Sequence, residues 1–263
     1  MQKQTVGIAF SGGAARGIAH LGVLQALLEL NIPIKVISGT SSGAIAGAFY
    51  AAGFQPKEVL GIIKQVNVVR LLRPAFSWYG LMNLDEVEKV ITKYLGDLSF
   101  EDLKTELIIT ATDINQGNVV YFTSGKIIKP LIASCSVPLV YKPIEYQNHV
   151  LLDGGLLNNM PVECLMDRCD FIIGSHCNPL NYEAKVSTFK TILERTFQLA
   201  INSNVQQRFK YCDVLIEPPE LKHFSLLSYS RADEFFQIGY DYTMNLAEKL
   251  EVVRQVPQTP DSE

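Results

Sequence analysis

Two kinds of hydrophobic pattern alternate along the first half of the chain. Short apolar, β-branched runs at residues 5–10, 34–37 and 106–112 are typical of buried strands. Between them, apolar residues at three-to-four spacing predict helices at about residues 16–30 and 42–52. Strands that alternate with helices in this way favour a parallel sheet with crossover helices.

The second half continues the pattern with one interruption. In "DINQGNVVYF" (residues 113–122), a turn rich in Asn and Gly joins two strand-like runs, which predicts a hairpin at one side of the sheet. Three more strands are predicted at residues 149–152, 171–174 and 214–217. Two long amphipathic helices are predicted at residues 189–209 and 232–250. The expected fold is α/β, a three-layer α/β/α sandwich with a mostly parallel mixed sheet.

The length and composition fit one sizeable core. The chain has 263 residues, of which 48% are hydrophobic, so it can bury most of the surface that its unfolded form exposes. We expect one domain over residues 1–254. The last residues, "QVPQTPDSE" (255–263), read as a disordered tail.

Charge and segment lengths exclude some classes of partner and location. The formal net charge of −4 gives no basic excess for gripping a phosphate backbone, so nucleic acid is not expected as a partner. No secretory leader pattern opens the sequence, and the most apolar run, residues 44–52, is about half the length that a bilayer requires. The chain is therefore expected to be cytoplasmic and to span no membrane, and no protein partner is indicated.

Cysteine and histidine spacing gives no sign of a metal site. The five cysteines form no C-x-x-C pair and the four histidines form no H-E-x-x-H pattern. We expect free thiols, no bound metal and no organic cofactor.

The segment "GTSSG" (residues 39–43) follows a strand-like run and precedes a helix of small residues. This G-x-S-x-G pattern in a strand–turn–helix context predicts a nucleophile elbow, in which the Ser41 hydroxyl projects from a strained turn. An alternative is a purely structural turn in which Ser42 is an ordinary helix N-cap.

A second glycine turn, "FSGGAARG" (residues 10–17), follows the first strand. In a parallel sheet both turns lie at the same rim, where ligand sites of open α/β sheets occur. The turn nearly fits a dinucleotide-binding pattern, but the second strand lacks the acidic residue that would hold a ribose. The other interpretation is an oxyanion hole formed by the N–H groups of Gly12 and Gly13, with Arg16 supporting the loop through carbonyls or a carboxylate.

A serine nucleophile needs a base, for which the sequence offers two kinds of candidate. His176 and His223 fit the order of an ordinary Ser-Asp-His triad, although a structural role suits each at least as well. In "LLDGG", Asp153 ends a strand and two glycines would let another backbone come close. A carboxylate at that place can accept the serine proton directly, whereas the structural alternative is a D-G turn.

Together these motifs resemble the patatin-like phospholipase family, in its short bacterial single-domain form. The segments that carry the resemblance lie between about Val6 and Val162: "GGAARG", "GTSSG", "ATDINQG", "ASCSVP", "DGG" and "NNMPV". The resemblance implies a patatin-like fold and a serine hydrolase that cleaves carboxylic esters of phospholipids, lysophospholipids or related lipids. It implies Ser41 as nucleophile and Asp153 as general base.

The resemblance also implies an oxyanion hole from the glycine loop and the N–H of Ser42. One position departs from the family, because Ala14 stands where the family has a third loop glycine. Alanine keeps its N–H but disfavours a positive φ. The loop geometry is therefore expected to depend on residue 14 having an ordinary backbone angle.

An aromatic segment suggests contact with lipid. "VNVVRLLRPAFSWYGLMN" (residues 66–83) holds Phe76, Trp78 and Tyr79 with two arginines, a composition that suits an acyl-chain lip or peripheral contact with the inner membrane. The alternative is a core-packed connection between helices. A lipid or acyl-ester substrate is the expected partner.

A regulatory protein that keeps the fold but only binds a lipid or a protein is the rival hypothesis. The intact Ser41 and Asp153 argue against it, and Ala14 argues weakly for it.

Overall fold

The centre of the computed structural model is a mixed β-sheet to which eight strands contribute. The structure describes residues 4–66, 84–183 and 186–254. The strands are β1 (Val6–Phe10), β2 (Ile34–Thr40), β3 (Glu106–Asp113), β4 (Asn118–Phe122), β5 (Ile144–Tyr146), β6 (His149–Asp153), β7 (Phe171–Ser175) and β8 (Val214–Ile216). Their order is β5-β6-β3-β2-β1-β7-β8, and β4 pairs with β3.

The sheet is mostly parallel, as the sequence predicts. β3, β2, β1, β7 and β8 pair in parallel, while β4, β5 and β6 are antiparallel to their neighbours. Asp113 pairs with Asn118 across the turn between β3 and β4, so the predicted hairpin is confirmed. The short strand β5 has no counterpart in the sequence-based prediction.

Helices connect and cover the strands. They are α1 (Ala19–Glu29), α2 (Ser42–Ala51), α3 (Pro56–Gln65), α4 (Asp85–Leu95), α5 (Ile128–Ser134), α6 (Phe189–Gln206), α7 (Ala232–Met244) and α8 (Ala247–Leu250). The predicted final helix is thus interrupted at Asn245, a residue whose side chain competes with helical backbone hydrogen bonds. The expected tail, residues 255–263, lies outside the described residues.

Both faces of the sheet are buried, which gives the three layers. Successive strand residues point to opposite faces, so Ile8 and Phe10 join one apolar cluster with α1, α2 and α7. Ala9 joins a second cluster, which Ile201 and Val205 of α6 cover from the other side. The sequence-based expectation of a three-layer sandwich is confirmed. No helix of the described segments is long and apolar enough to cross a membrane.

Two glycines let α1 and α7 approach backbone to backbone. A Cβ placed on Gly22 of α1 would lie 1.9 Å from the carbonyl oxygen of Phe236, and one on Gly239 of α7 would lie 2.1 Å from that of Ala19. Neither site has room for a methyl group, because backbone cannot move aside as a flexible side chain can.

We expect Gly22→Ala and Gly239→Ala each to lower the free energy of unfolding by about 1–3 kcal/mol, the usual cost of overpacking. Gly61→Ala is the matched control, because a Cβ at this position of α3 would have no heavy atom within 4 Å among the described residues outside its own helix turn. Alanine is the better helix former, so this control should gain about 0.5–1 kcal/mol. Urea denaturation measures all three, and equal stability of Gly22→Ala and the parent would contradict the close packing.

Candidate active site

The pairing of β3 brings two distant strand ends together. Thr40, the last residue of β2, pairs with Thr110, and Asp153, the last residue of β6, pairs with Ala111. Thr110 and Ala111 are consecutive residues of β3. The residue after Thr40 is Ser41, so the two predicted catalytic residues are brought to the same place on the sheet rim.

Ser41 occupies the strained turn between β2 and α2. Its φ of 53° and ψ of −125° lie in a region that residues with a side chain rarely adopt. Gly39 and Gly43 permit this turn: a Cβ on Gly39 would lie 2.7 Å from the N of Ala44, and one on Gly43 would lie 2.6 Å from the O of Ser11. The alternative of Ser42 as an N-cap does not hold, because Ser42 is already the first helical residue.

A buried serine fixes the elbow to β3. Ser134, at the end of α5, donates its hydroxyl hydrogen to the O of Thr110 (2.6 Å) and accepts from the N–H of Ser41 (2.8 Å). Because one hydroxyl joins both groups, the Ser41 backbone is held against β3 beside Asp153.

Ser41 and Asp153 face each other in the folded chain. The Asp153 side chain accepts from the N–H of Gly155 (2.8 Å) and is 2% exposed. Burial raises the pKa of Asp153 to about 6, although hydrogen bonds from Gly155 and from the Ser41 side chain oppose the rise. Ser41 also interacts with the Cys135 thiol, whose pKa burial raises. The base candidate is thus a carboxylate that accepts a proton more readily than an exposed aspartate does.

All four histidines are described, and none lines the cavity that holds Ser41 and Asp153. The Nδ1 of His176 lies 2.8 Å from Glu217, His223 is exposed, and the Nδ1 of His149 lies 2.6 Å from Asp113. His20 is fully buried, and burial lowers its pKa to about 4. Ser41 and Asp153 therefore form a candidate dyad, and none of the four histidines lies at the cavity beside them.

The glycine loop differs from the sequence-based expectation at Gly12. Its N–H donates to the O of Asn159 (3.1 Å) and so does not face the cavity as an oxyanion donor. Its C=O accepts from the side chains of Asn159 and Asn178. Gly12 is therefore a point of attachment for the loop, which corrects its predicted role.

The N–H groups of Gly13 and Ala14 are the available donors. They donate to no acceptor in the described part of the chain, and both residues line the cavity with Ser41 and Ser42. As the first residue of α2, Ser42 also has an N–H without an intrahelical acceptor. These three N–H groups form the candidate oxyanion hole.

Ala14 does not have an ordinary backbone angle. Its φ is 48°, in the left-handed region that costs an alanine roughly 1–2 kcal/mol relative to glycine. Residue 14 lines the cavity in this strained conformation, which glycine would adopt at lower cost.

Arg16 attaches the loop to the C-terminal part of the chain. It is 4% exposed, and its Nε donates to the O of Phe224 (3.0 Å). Nearby, the N–H of Ala15 donates to the O of Leu226 (2.9 Å). The loop is thus held by the carbonyls of residues 224–226, a contact of the kind expected of a supporting arginine.

A cavity of about 650 Å³ opens above Ser41 and Asp153. Asp153 is the only residue with a formal charge among its described lining residues. Most of the lining is apolar and comes from α1–α4, α6 and several loops, including Ile18, Leu21, Ile45, Phe49, Ile62, Ile91, Val140 and Leu226. The site can therefore hold a long apolar group next to a nucleophile and a base.

The predictions on lipid contact and on metal binding concern other parts of the chain. Phe76, Trp78 and Tyr79 lie outside the described residues. Within residues 4–66, 84–183 and 186–254, no group of three His, Cys, Asp or Glu side chains is placed to hold a metal ion.

Sequence reasoning gave no role to Ser134, Asn159 or Asn178. Ser134 lies in "ASCSVP" and Asn159 in "NNMPV". These segments carry the family resemblance but assign no role to either residue. Asn178 follows β7 in "SHCNPL", which carries no recognisable signal. Each of the three side chains has a backbone partner more than 90 positions away in the chain, so only the fold identifies them.

The buried Asp153 should destabilise the folded chain at neutral pH. A carboxyl group whose pKa is raised on folding contributes most stability below its unfolded-state pKa, and this contribution is lost as the pH rises through about 6. The rise from 3.8 to about 6 corresponds to about 3 kcal/mol. Asp153→Asn should therefore be more stable than the parent at pH 8, with a smaller difference at pH 4. Denaturation at both pH values measures the difference in free energy of unfolding between the variant and the parent. The same difference at pH 4 and pH 8 would contradict a buried charge at Asp153.

Comparisons with curated proteins find larger relatives that are similar to nearly all of this chain. The chain is 28% identical to Lysophospholipase NTE1 of Candida glabrata over 291 residues, an alignment that covers 98% of this chain and 17% of that protein. It is 30% identical to Lysophospholipase nte1 of Aspergillus niger, covering 99% of this chain and 19% of that protein. The chain thus spans less than a fifth of the length of these relatives.

Solved structures share the fold. VipD from Legionella pneumophila superposes with a TM-score of 0.62 at 15% identity, covering 94% of this chain and 67% of that one. The type III effector protein ExoU gives a TM-score of 0.50 at 16% identity, and the match covers 95% of this chain and 54% of that one.

The family assignment comes from the sequence match itself. The family model "Patatin-like phospholipase" matches residues 8–166, more than half of the chain. This span contains the glycine loop, the elbow of Ser41, the Ser134 contact and Asp153. The chain belongs to the patatin-like phospholipase family.

Proposed function

We propose that this chain is a serine acyl hydrolase that cleaves carboxylic esters of lysophospholipids, phospholipids or related lipids through a Ser41–Asp153 dyad. The observation that carries the proposal is the meeting of Ser41 with the buried Asp153 at the floor of an apolar cavity. Family membership and the names of the lysophospholipase relatives support it. The proposed catalytic domain spans residues 1–254.

In the first half-reaction, the Ser41 Oγ attacks the ester carbonyl carbon and its proton passes to the Asp153 carboxylate. The carbonyl π electrons move to the oxygen, and the N–H groups of Gly13, Ala14 and Ser42 stabilise the resulting oxyanion. When the tetrahedral intermediate collapses, the C–O bond to the alcohol breaks. The leaving alkoxide takes the proton from Asp153, and the acyl group remains on Ser41.

In the second half-reaction, water replaces the alcohol. Asp153, again a carboxylate, accepts a proton from the water as its oxygen attacks the acyl carbon. Collapse of the second tetrahedral intermediate returns the proton to Ser41 and releases the fatty acid. The cycle restores both residues and needs no external oxidant, reductant or cofactor.

The cavity favours the lipid part of the substrate over its headgroup. Its described walls are apolar and offer no cation for a phosphate. Burial of an acyl chain contributes about 25 cal/mol for each Å² of apolar surface removed from water, which supports recognition of the chain. The proposed substrate class is therefore a long-chain carboxylic ester.

Ser41→Ala and Asp153→Asn should each lower kcat/KM for a lysophospholipid or an acyl ester by at least about 10³-fold. In the parent, kcat/KM should rise with pH along a limb centred near pH 6, because only ionised Asp153 can accept the serine proton. Fatty acid release across pH 4.5–8.5 measures both effects.

Histidine variants are the controls for this experiment. His223→Ala and His176→Ala should keep kcat within a few fold of the parent, since neither side chain lines the cavity. Loss of activity in either variant as large as in Ser41→Ala would replace the dyad by a triad.

The rival function, a regulator that only binds lipid or protein, predicts a different chemical behaviour. An activated serine should react with a fluorophosphonate probe, and Ser41→Ala should lose the label. A parent protein that neither reacts with the probe nor releases fatty acid would favour the regulator.

Peripheral membrane contact is the second part of the proposal. Exposed leucines from three segments surround the cavity opening: Leu139 is 74% exposed, Leu227 47% and Leu156 36%, and all three line the cavity. Leu139 also has a φ of 66°, a strained backbone conformation for a residue with a side chain. Leucines at the entrance can enter the lipid surface from which the substrate comes.

Leu139→Asp should weaken binding to phosphatidylcholine vesicles by about tenfold, because burying one leucine contributes about 1.5–3 kcal/mol. Val252→Asp is the matched control, since Val252 is 72% exposed but does not line the cavity. Vesicle sedimentation measures the binding of both variants. Equal binding by Leu139→Asp and the control would show that the cavity opening takes no part in membrane contact.

A further inference from the structure

Both backbone groups of Gly12 are hydrogen-bonded to distant parts of the chain. The C=O of Gly12 accepts from the Nδ2 of Asn159 (3.2 Å) and from the Nδ2 of Asn178. The N–H of Gly12 donates to the O of Asn159 (3.1 Å). Both asparagine side chains are buried, at 1% and 7% exposure. We call Asn159 and Asn178 the carboxamide clamp.

The carboxamide clamp determines the direction in which the Gly13 N–H points. The C=O of Gly12 and the N–H of Gly13 belong to the same peptide group, which is planar and trans, so the two bonds point in opposite directions. Donors on the Gly12 oxygen therefore turn the Gly13 N–H away from both asparagines. That N–H has no acceptor in the described part of the chain, and Gly13 lines the cavity with Ser41.

We propose that Asn159 and Asn178 are positioning residues for the reaction, which orient the Gly13 N–H toward the oxyanion by fixing the Gly12 carbonyl. The inference rests on the proposed acyl hydrolase function and adds residues to it. Neither asparagine acts on the substrate in this role; each acts through the Gly12 peptide.

The clamp spans two parts of the fold. Asn159 belongs to the turn that follows Asp153. The same turn therefore positions Asp153 and holds the glycine loop. The N–H of Asn159 donates to the Oδ1 of Asn204 (3.1 Å), whose Nδ2 donates to the O of Gly155 (3.1 Å). Helix α6 thus supports the turn that carries both Asp153 and Asn159.

Asn178 is the more informative member of the clamp. It follows β7, and it lies beyond the residues that match the family model. Its Oδ1 is buried without a hydrogen-bond partner in the described part of the chain, so its Nδ2 carries the polar contact that the side chain makes there. A buried acceptor without a partner disfavours folding. Stability alone therefore does not account for asparagine at position 178.

Gly13 itself must stay close to this side chain. A Cβ on Gly13 would lie 3.1 Å from both Nδ2 and Oδ1 of Asn178, and 2.2 Å from the Sγ of Cys177. A side chain at position 13 would press against Cys177 and Asn178, so glycine at this position leaves room for the clamp.

The test compares Asn178→Ala and Asn178→Asp with the parent. Alanine removes the donor, and aspartate keeps the shape but places a carboxylate oxygen against the Gly12 carbonyl, so it serves as the second variant if alanine prevents folding. We expect kcat to fall about tenfold or more with KM within about twofold, because a misdirected oxyanion donor weakens only the transition state. Affinity for an acyl trifluoromethyl ketone, which forms a tetrahedral adduct with serine, should fall by the same factor as kcat/KM.

Asn158→Ala is the matched control. Asn158 is equally buried and adjacent to the clamp, but its Nδ2 donates to the Tyr121 hydroxyl and to Glu163. It should keep kcat within a few fold of the parent, even if thermal unfolding shows reduced stability. Folded Asn178 variants with parental kcat, a loss confined to KM, or an equal loss of kcat in Asn158→Ala would each overturn the proposal.

The parent and Ser41→Ala separate this inference from the proposed function. Turnover by the parent that Ser41→Ala loses supports the hydrolase whatever the Asn178 variants do. Absence of turnover by the parent would overturn both proposals.

Discussion

Two consecutive pairings on β3 set the geometry on which the site depends. Thr110 fixes the end of β2 and Ala111 fixes the end of β6, so Ser41 and Asp153 are neighbours although 112 positions separate them. Ser134 reinforces the arrangement by binding the Thr110 carbonyl and the Ser41 N–H with one hydroxyl. A shift of register by one residue would turn Asp153 to the other face of the sheet and remove it from Ser41.

The same arrangement carries an electrostatic cost. Asp153 is enclosed by the sheet end, the elbow and an apolar cavity, and burial raises its pKa to about 6. A carboxylate that is poorly stabilised in its ionised form destabilises the fold at neutral pH and is a stronger base there. The backbone strain at Ser41 and Ala14 belongs to the same site, as is common where the chain must present reactive groups.

The C-terminal part of the chain completes the site. The family model ends at residue 166, yet the glycine loop is held by the Phe224 and Leu226 carbonyls and by Asn178. Asn204 of α6 supports the turn after Asp153. These contacts connect the glycine loop to helices and loops at the cavity wall, so packing of the C-terminal layer bears directly on the position of the loop.

The sequence by itself determined the α/β alternation, the hairpin at residues 113–122 and the candidates Ser41 and Asp153, because hydrophobic period and glycine turns are local signals. It did not determine that the Gly12 N–H is used by Asn159, that Ala14 adopts a positive φ, or that Ser134 and Asn178 hold the loops. The hydrogen bonds join groups far apart in the chain, and the φ of Ala14 opposes the preference of its own residue type. No local pattern encodes such partners, so only the tertiary structure could decide them.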